Sequence, residues 1–377
     1  MIRQTQVAVV GAGIVGLAHA LAAARKGYSV TLFERNARAV GASVRNFGMI
    51  WAIGKPPGKI RDRVLRSREI WIEIAHQAGL WLDQNGSLHV AHHQDEIDVL
   101  TEFYETLGKA IGGYALLSPE QTLERSGVVK AQGLRGALWS ETEMLVNPME
   151  AIARLPQFLA ERYGVTLRFD QTVRAIDYPT LVTTDETWRC EHIFVCTGVD
   201  FETLFPEAYR DSGIVRAKLQ MLRTIPQPAN TRIGPSLANG PLMTGYLSFA
   251  HCTSLKALKA RINHEMPEVE QHGMTVYMSQ LPTGEVTIGD THVYDNTVDP
   301  FDREDLNQMM LNHVERYVQL PTLAIAQRWH GVYAKRFNAS ELIVKPVDGV
   351  TVVNGLGGGG MSQSFGLAEE VIAKMLF

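Results

Sequence analysis

The sequence predicts an α/β chain, α+β overall, in which a Rossmann-like nucleotide-binding domain is interrupted by an inserted antiparallel-sheet domain. Three observations predict it. A strand, glycine turn, helix and second strand open the chain; a buried apolar strand runs into four consecutive glycines near its end; hairpin-like alternation fills the stretch between them. A length of 377 residues suggests about two domains. A hydrophobic share of 45% and a charged share of 20% are those of an ordinary globular protein, and a net charge of -4 gives no basic surface for nucleic acid. The three cysteines, Cys190, Cys196 and Cys252, have neither metal-ligand spacing nor an even number for a disulfide framework, so a reducing, cytoplasmic location is expected.

The opening element is "QVAVVGAGIVG", an apolar strand leading into Gly11-x-Gly13-x-x-Gly16. A helix from Ile14 to about Lys26 follows and stops at Gly27, and the strand "SVTLFE" ends at Glu34. The first glycine permits the tight turn, the second lets backbone reach a pyrophosphate, and the third allows close helix–strand packing. The helix N-terminus adds unpaired N–H groups and positive potential. Glu34, 18 residues beyond Gly16, is placed to accept ribose hydroxyls and would repel a 2′-phosphate, which argues against NADP. The run Val7–Ala24 is apolar enough to imitate a signal peptide or membrane helix, but the glycine spacing reads better as strand, turn and helix, with no membrane span.

The closing element is "GVTVVNGLGGGGMSQSFGLAEEVIAKML". Four glycines between an apolar strand and a helix mark a backbone that something must approach closely, since glycine costs conformational entropy. A mere linker would have polar flanks.

Between the ends, "IVRAKLQMLRT" reads as a strand, "MTVYMSQLPTGEVTIGDT" as a hairpin and "PLMTGYLSFAHC" as one more strand, while "DPFDREDLNQMMLNHVERYV" carries helix-start acids and helical spacing. After the helix "PMEAIARLPQFLAERYG", "LRFDQTVRAID" reads as a hairpin strand, and "HIFVCTG" as a buried strand. The expected division gives residues 1–83, 146–214 and 326–377 to the nucleotide-binding domain and 84–145 and 215–325 to the substrate domain. The basic run "KIRDRVLRSREIW" has helical charge spacing and reads as a solvated face, with a lesser reading in which one arginine attracts an anionic substrate; "HVAHH" lacks the partners of a metal site.

The fingerprint by itself fits FAD or NAD. The small-residue loop Ala37–Ile50 after Glu34, the strand ending in Cys196-Thr197-Gly198, the stretch 167–177, and nucleotide-type signals at both chain ends favour FAD. With "TIGDT" and "RWHGV" (Arg328–Val332), they make the chain resemble the D-amino-acid-oxidase-like flavoproteins of the glycine oxidase and sarcosine oxidase type over nearly its whole length. That resemblance implies an FAD site made of Gly11, Gly13, Ile14, Val15 and Gly16 at the pyrophosphate, Glu34 and Arg35 at the adenosine ribose, and Val173 at the adenine through its main chain. Ala42, Ser43, Asn46, Phe47, Gly48 and Met49 would run along the flavin. Cys196, Thr197 and Gly198 would border the cofactor, and Gly357, Gly358, Gly359, Gly360, Met361 and Ser362 would approach the pyrimidine edge, where a helix N-terminus stabilises negative charge.

The resemblance also implies oxidation of an amine held with its α C–H over flavin N5, followed by imine hydrolysis to an aldehyde or keto acid. The chain departs from the family at the substrate anchor. After Trp329 and Gly331 the positions that commonly hold a carboxylate-binding arginine carry Val332, Tyr333 and Ala334, and Lys335 and Arg336 come only afterwards. The shifted basic pair suits a larger or more highly charged anion, and a phosphonate-catabolism subgroup with similar termini points to an aminoalkylphosphonate such as 2-aminoethylphosphonate or its N-methyl derivative. His330, Tyr333, Lys335, Arg336 and Met49 are the expected catalytic and substrate-contacting residues. No cysteine near "WHG" offers a covalent flavin link, so noncovalent FAD is expected, with O2 or another acceptor and an oxidase favoured over a dehydrogenase. Competing readings are a glycine, sarcosine or D-amino-acid oxidase or dehydrogenase, an NAD-linked dehydrogenase, and a flavin- or dinucleotide-binding regulatory module without turnover.

Overall fold

A computed structural model describes residues 2–375. Along the chain, β1 (Ile2–Val10), α1 (Ile14–Arg25) and β2 (Val30–Phe33) come first, then the long helices α2 (Lys59–Ala78) and α3 (Pro148–Tyr163). The strands β3 (Thr187–Val195), β4 (Ile214–Thr224), β5 (Tyr277–Gln280) and β6 (Val286–Gly289) follow, with helix α4 (Glu304–Tyr317), strand β7 (Ile325–Arg336), strand β8 (Val350–Asn354) and helix α5 (Gly360–Ile372) last.

The first sheet has eight strands. Its parallel centre runs Thr166–Arg168, β2, β1, β3 and β8, with β1 and β3 paired from Ile2↔Thr187 to Val10↔Val195. Val7, Ala8 and Val9 are fully buried, as continuous apolar strands of a parallel sheet covered on both faces should be. Alanine-rich α1 is buried nearly all round and lies among α3, α5 and the sheet. The start of α3 is set locally: the Asn147 side chain accepts from Met149 N–H and Glu150 N–H, Pro148 occupies the first helical position, and Gly164 closes the helix in the left-handed region.

The second sheet has nine strands. Strand β4 pairs along one edge with β7 over Ile214↔Arg336 to Thr224↔Ile325, and along the other with β6 and Val293–Asp295. Beyond β6 come β5, Ser236–Ala238, Ser87–Ala91, Gly136–Ser140 and Tyr114–Leu117. A small third sheet joins Met49–Ile50, Met144–Val146 and Leu82–Asp83. The strand at 325–336, which the expected division gives to the nucleotide-binding domain, is therefore a strand of the second sheet.

Three local expectations change. "PLMTGYLSFAHC" is not a strand but two short helical turns, Gly240–Met243 and Leu247–Phe249, because Pro241 sits in the first turn of the former, where its missing N–H costs nothing, and would withdraw a ladder donor from a strand. "LRFDQTVRAID" is split: Thr166–Arg168 joins the parallel sheet, Asp170 turns the chain with φ +56°, and Ala175–Asp177 forms a hairpin with Thr180–Val182. "KIRDRVLRSREIW" is helical, yet Arg61 and Arg63 are buried rather than solvated. The Arg63 guanidinium bridges Glu370 (2.7 and 2.9 Å) and Glu341 (2.9 and 3.1 Å), tying α2 to α5. No helix among the described residues is long and apolar enough to cross a membrane.

Candidate active site

The first turn is as tight as its glycines allow. A Cβ on Gly11 (φ +103°) would stand 2.4 Å from the Cys196 carbonyl oxygen, and one on Gly16 would stand 1.8 Å from the Gly11 oxygen. Gly13, which caps α1, meets only Ser43 Oγ at 3.2 Å and otherwise faces open space, as do Gly41 and Gly198. This is a cradle that side chains would fill. Ser43 Oγ accepts from Ile14 N–H (2.9 Å), while the half-buried Val15 begins the helix beside it. Glu34 is buried; its Oε2 accepts from Ala12 N–H (3.0 Å) and its Oε1 from the N–H (3.1 Å) and side-chain amide (3.2 Å) of Asn36, which fixes the carboxylate at the turn and leaves one of about four acceptor sites open. Arg35 points outward to Asp200 (3.0 Å). Val173 is buried against Phe33, and its own N–H and C=O make no hydrogen bond within the described residues. These features fit a dinucleotide laid from Glu34 across Gly13.

The loop after Glu34 is stapled rather than loose. Asn46 donates to the carbonyls of Ala42 (3.0 Å) and Ser43 (2.9 Å) and accepts from Gly48 N–H (2.8 Å). Gly48, at φ +76°, passes so near Val146 that a Cβ would lie 1.9 Å from its oxygen, and Met49 pairs with Leu145. The Phe47 carbonyl accepts from Ser279 Oγ (3.2 Å), which joins this loop to β5.

At the other end, Gly357–Gly359 form one turn of 3₁₀ helix before α5. The turn is gripped from behind: Trp71 Nε1–H donates to the Met361 carbonyl (2.8 Å) and Ser362 Oγ accepts from Trp51 N–H (2.9 Å). Each glycine has a different neighbour. A Cβ would lie 3.7 Å from Lys335 Cδ at Gly357, 3.6 Å from Tyr333 Oη at Gly358, 2.3 Å from Gln363 Nε2 at Gly359, and 3.6 Å from Ile14 Cγ2 at Gly360.

Alternation along β7 sorts the expected catalytic residues. Trp329, Gly331, Tyr333 and Lys335 face the flavin loop and the glycine turn; Trp329 Nε1–H donates to the Arg45 carbonyl (3.5 Å), and a Cβ on Gly331 would come within 3.1 Å of that oxygen. His330 and Arg336 lie on the other face. His330 Nδ1 pairs with Asp302 (2.9 Å), and Arg336 donates to the carbonyls of Ser212 (2.8 Å) and Glu341 (3.2 Å). Tyr333 and Lys335 therefore lie on the face beside the glycine turn, and His330 and Arg336 on the opposite one.

The structure adds residues that spacing did not reveal. Tyr333 Oη is 3.1 Å from His292 Nε2, and His292 Nδ1 is 2.9 Å from the Gly273 carbonyl and 3.8 Å from Asp290. Burial raises the Asp290 carboxyl and holds the Tyr333 phenol well above its ordinary value. Lys335 Nζ lies 5.4 Å from the Tyr294 ring and 5.6 Å from that of Phe337. Burial lowers the Lys335 ammonium, with Asp290 opposing, and burial together with repulsion by Lys335 lowers Lys55. Neither lysine forms an ion pair among the described residues. Lys55 sits on a turn pinned by Glu143, which accepts from Ala52 N–H (3.1 Å) and Ile53 N–H (2.9 Å). An aromatic wall of Trp51, Tyr246, Tyr277 and His89 lines the same side, with the Tyr246 and Tyr277 hydroxyls in contact. Nothing in the sequence links Lys55 to a lysine 280 residues later.

Known proteins place this geometry. Over residues 6–374 the chain matches the family described as DAO, FAD dependent oxidoreductase. The glycine oxidase of Geobacillus kaustophilus (strain HTA426) is 25% identical over 211 residues, 52% of this chain and 55% of that relative, so the chain matches about half the curated relative's length. The crystal structure of glycine oxidase from Geobacillus kaustophilus superposes with a TM-score of 0.77 at 19% identity, over 98% of this chain and 94% of the other. L-proline dehydrogenase from P. horikoshii gives 0.76 at 19% identity, over 99% and 94%. L-alpha-glycerophosphate oxidase from Mycoplasma pneumoniae, solved with FAD bound, gives 0.73 at 18%, over 100% and 96%. The glycine turns from both chain ends build one cradle under one sheet face, and the chain belongs to the DAO family of FAD dependent oxidoreductases, with FAD as its cofactor.

Proposed function

We propose that the protein oxidises a small primary or secondary amine carrying an anionic group, with an aminoalkylphosphonate such as 2-aminoethylphosphonate or its N-methyl derivative as the preferred class. When bound, FAD, here held noncovalently, supplies the two-electron acceptor. The chain's own residues bind, orient and dry the amine. Residues 42–49 and Gly357–Ser362 hold the cofactor, the face of β7 covers it, and Trp51, Tyr246 and Tyr277 exclude water from the amine end. The imine product then hydrolyses to an aldehyde or keto acid.

The observation that carries the reading is the pair Lys335 and Lys55, two partly buried cations in no ion pair among the described residues, Lys335 beside Gly357 and Lys55 near enough to Lys335 for mutual repulsion. Unpaired cations in a drying pocket are costly and favour an anion. Two ammonium point charges suit a tetrahedral dianion, whereas a planar arginine fork suits a carboxylate, and Tyr333 stands where such an arginine would come. Relatives named as oxidases favour O2 as the acceptor, with peroxide release as its sign.

The test is anaerobic bleaching of the flavin bands by 2-aminoethylphosphonate, its N-methyl derivative, glycine, sarcosine and an uncharged amine. Fastest reduction per unit concentration by the phosphonates is expected. Equal or faster reduction by the uncharged amine overturns the anionic assignment, and preference for glycine or sarcosine replaces phosphonate with carboxylate.

A further inference from the structure

An amine with a pKa of about 10 arrives at neutral pH as an ammonium, which cannot release hydride from the adjacent carbon until its nitrogen lone pair is free. Some group must take that proton. Asp290 is already engaged, its carboxylate accepting from Thr275 Oγ1–H at 2.5 Å. The two lysines serve the substrate's anionic tail.

Tyr333 and His292 remain, and their hydrogen bonds fix a direction. A carbonyl oxygen only accepts, so the 2.9 Å contact to Gly273 places a proton on His292 Nδ1. In the neutral ring Nε2 is then bare and accepts the Tyr333 O–H across 3.1 Å. The phenol's other side faces the glycine turn, 3.6 Å from where a Gly358 Cβ would stand.

We propose that Tyr333 and His292 act together as the proton acceptor for the substrate ammonium, an inference that rests on the amine-oxidation reading. The substrate N–H bond breaks and leaves its electron pair on nitrogen. The proton joins Tyr333 Oη, the former phenol proton passes to His292 Nε2, and no electron moves in this step. The resulting imidazolium keeps its Nδ1–H on Gly273 and lies 3.8 Å from the Asp290 carboxylate. The titratable groups facing the pair are Asp290, Tyr294 and Tyr277, with Lys335 on the same strand and Lys55 within repulsion of Lys335. The Asp290 carboxylate attracts positive charge on His292, and the two lysines repel it on the substrate.

The test uses FAD-loaded protein and the variants Tyr333→Phe and His292→Gln, with flavin content and melting temperature confirming that each is folded. Anaerobic reduction by 2-aminoethylphosphonate, with glycine in parallel, is followed from neutral pH to about pH 10. Both variants are expected to reduce at least about tenfold slower at neutral pH, with the deficit closing as the amine deprotonates in solution. A deficit of equal size at every pH, or none, overturns the proposal. Failure of both amines to bleach the unaltered protein at any pH sinks the amine reading instead. Independently of turnover, ¹⁵N NMR of His292 should show the Nδ1–H tautomer, and the Nε2–H tautomer overturns the relay.

Discussion

Ile14 and Gly360 hold the first turns of α1 and α5 together: a Cβ on Gly360 would stand 3.6 Å from Ile14 Cγ2. Two helix N-termini, drawn from opposite ends of the chain, thus meet at one place, each with the equivalent of roughly half a positive charge. Gly13 lies at that junction with open space above it. Gly13→Val is expected to fold and to lose FAD, as judged by a colourless protein with native circular dichroism; a yellow, folded variant moves the phosphates elsewhere. Gly16→Ala differs, because its Cβ would strike the Gly11 oxygen, and it should fail as a fold.

Of the four late glycines, Gly358 is the exposed one, and a side chain there projects toward Tyr333. Gly358→Leu should retain FAD through the adenosine half while shifting the visible flavin bands and cutting the rate of reduction. An unchanged spectrum and rate would mean the turn faces something other than the flavin.

Lys335→Met and Lys55→Met should each weaken anionic amines by about ten- to a hundredfold in kcat/KM, about 1.5–3 kcal/mol, and leave uncharged amines nearly untouched. Arg336→Met, on the opposite face of β7, should leave this discrimination intact. Both lysines titrate below their ordinary value near 10.5, so the cationic anchor is present below the lowered values and lost as pH rises through them. KM for an anionic amine should therefore climb at alkaline pH short of 10.5. A flat KM across that range contradicts the anchor.

Arg63→Met should cost about 3 kcal/mol, because it strands Glu341 and Glu370 around a buried site. Arg66→Met, which loses a half-exposed pair with Glu369, should cost under about 1 kcal/mol. Urea unfolding of the two variants checks the difference.

Burial pushes His19 down to about 4 and His89 and His313 down to about 3. Between the unfolded value of 6.5 and these lowered values the unfolded chain binds protons that the native one does not, so stability falls with falling pH, by up to about 1.4 kcal/mol per unit for each histidine. Unfolding free energies from neutral pH down to about pH 4 should show this slope, and His313→Gln should flatten it.

Both glycine turns, the βαβ opening and the hairpin β5–β6 were legible because local rules govern them: fixed offsets, buried apolar runs and turn chemistry. Lys55, His292 and Tyr277 were not, since no local rule sets residues that tertiary packing brings toward Tyr333 and Lys335 from elsewhere in the chain. Arg336 is a related case. Its neighbour Lys335 points the opposite way on a strand, and only the register with β4 decides which of two adjacent cations faces the cofactor. Arg63 looked solvated because helical charge spacing cannot show that α5 packs over it.

The register Ile214↔Arg336 also bears on how such a chain can diversify. Everything between those residues leaves and returns at one spot on a sheet edge, so the stretch is a cassette with adjoining ends. Lengthening or replacing it would alter Lys335 and the Tyr333–His292 pair together while leaving the phosphate cradle of β1, α1 and α5 untouched. Selectivity and phosphate binding can thus drift on separate evolutionary clocks, and grafting residues 214–336 from another family member would exchange the amine-side residues without rebuilding the phosphate cradle.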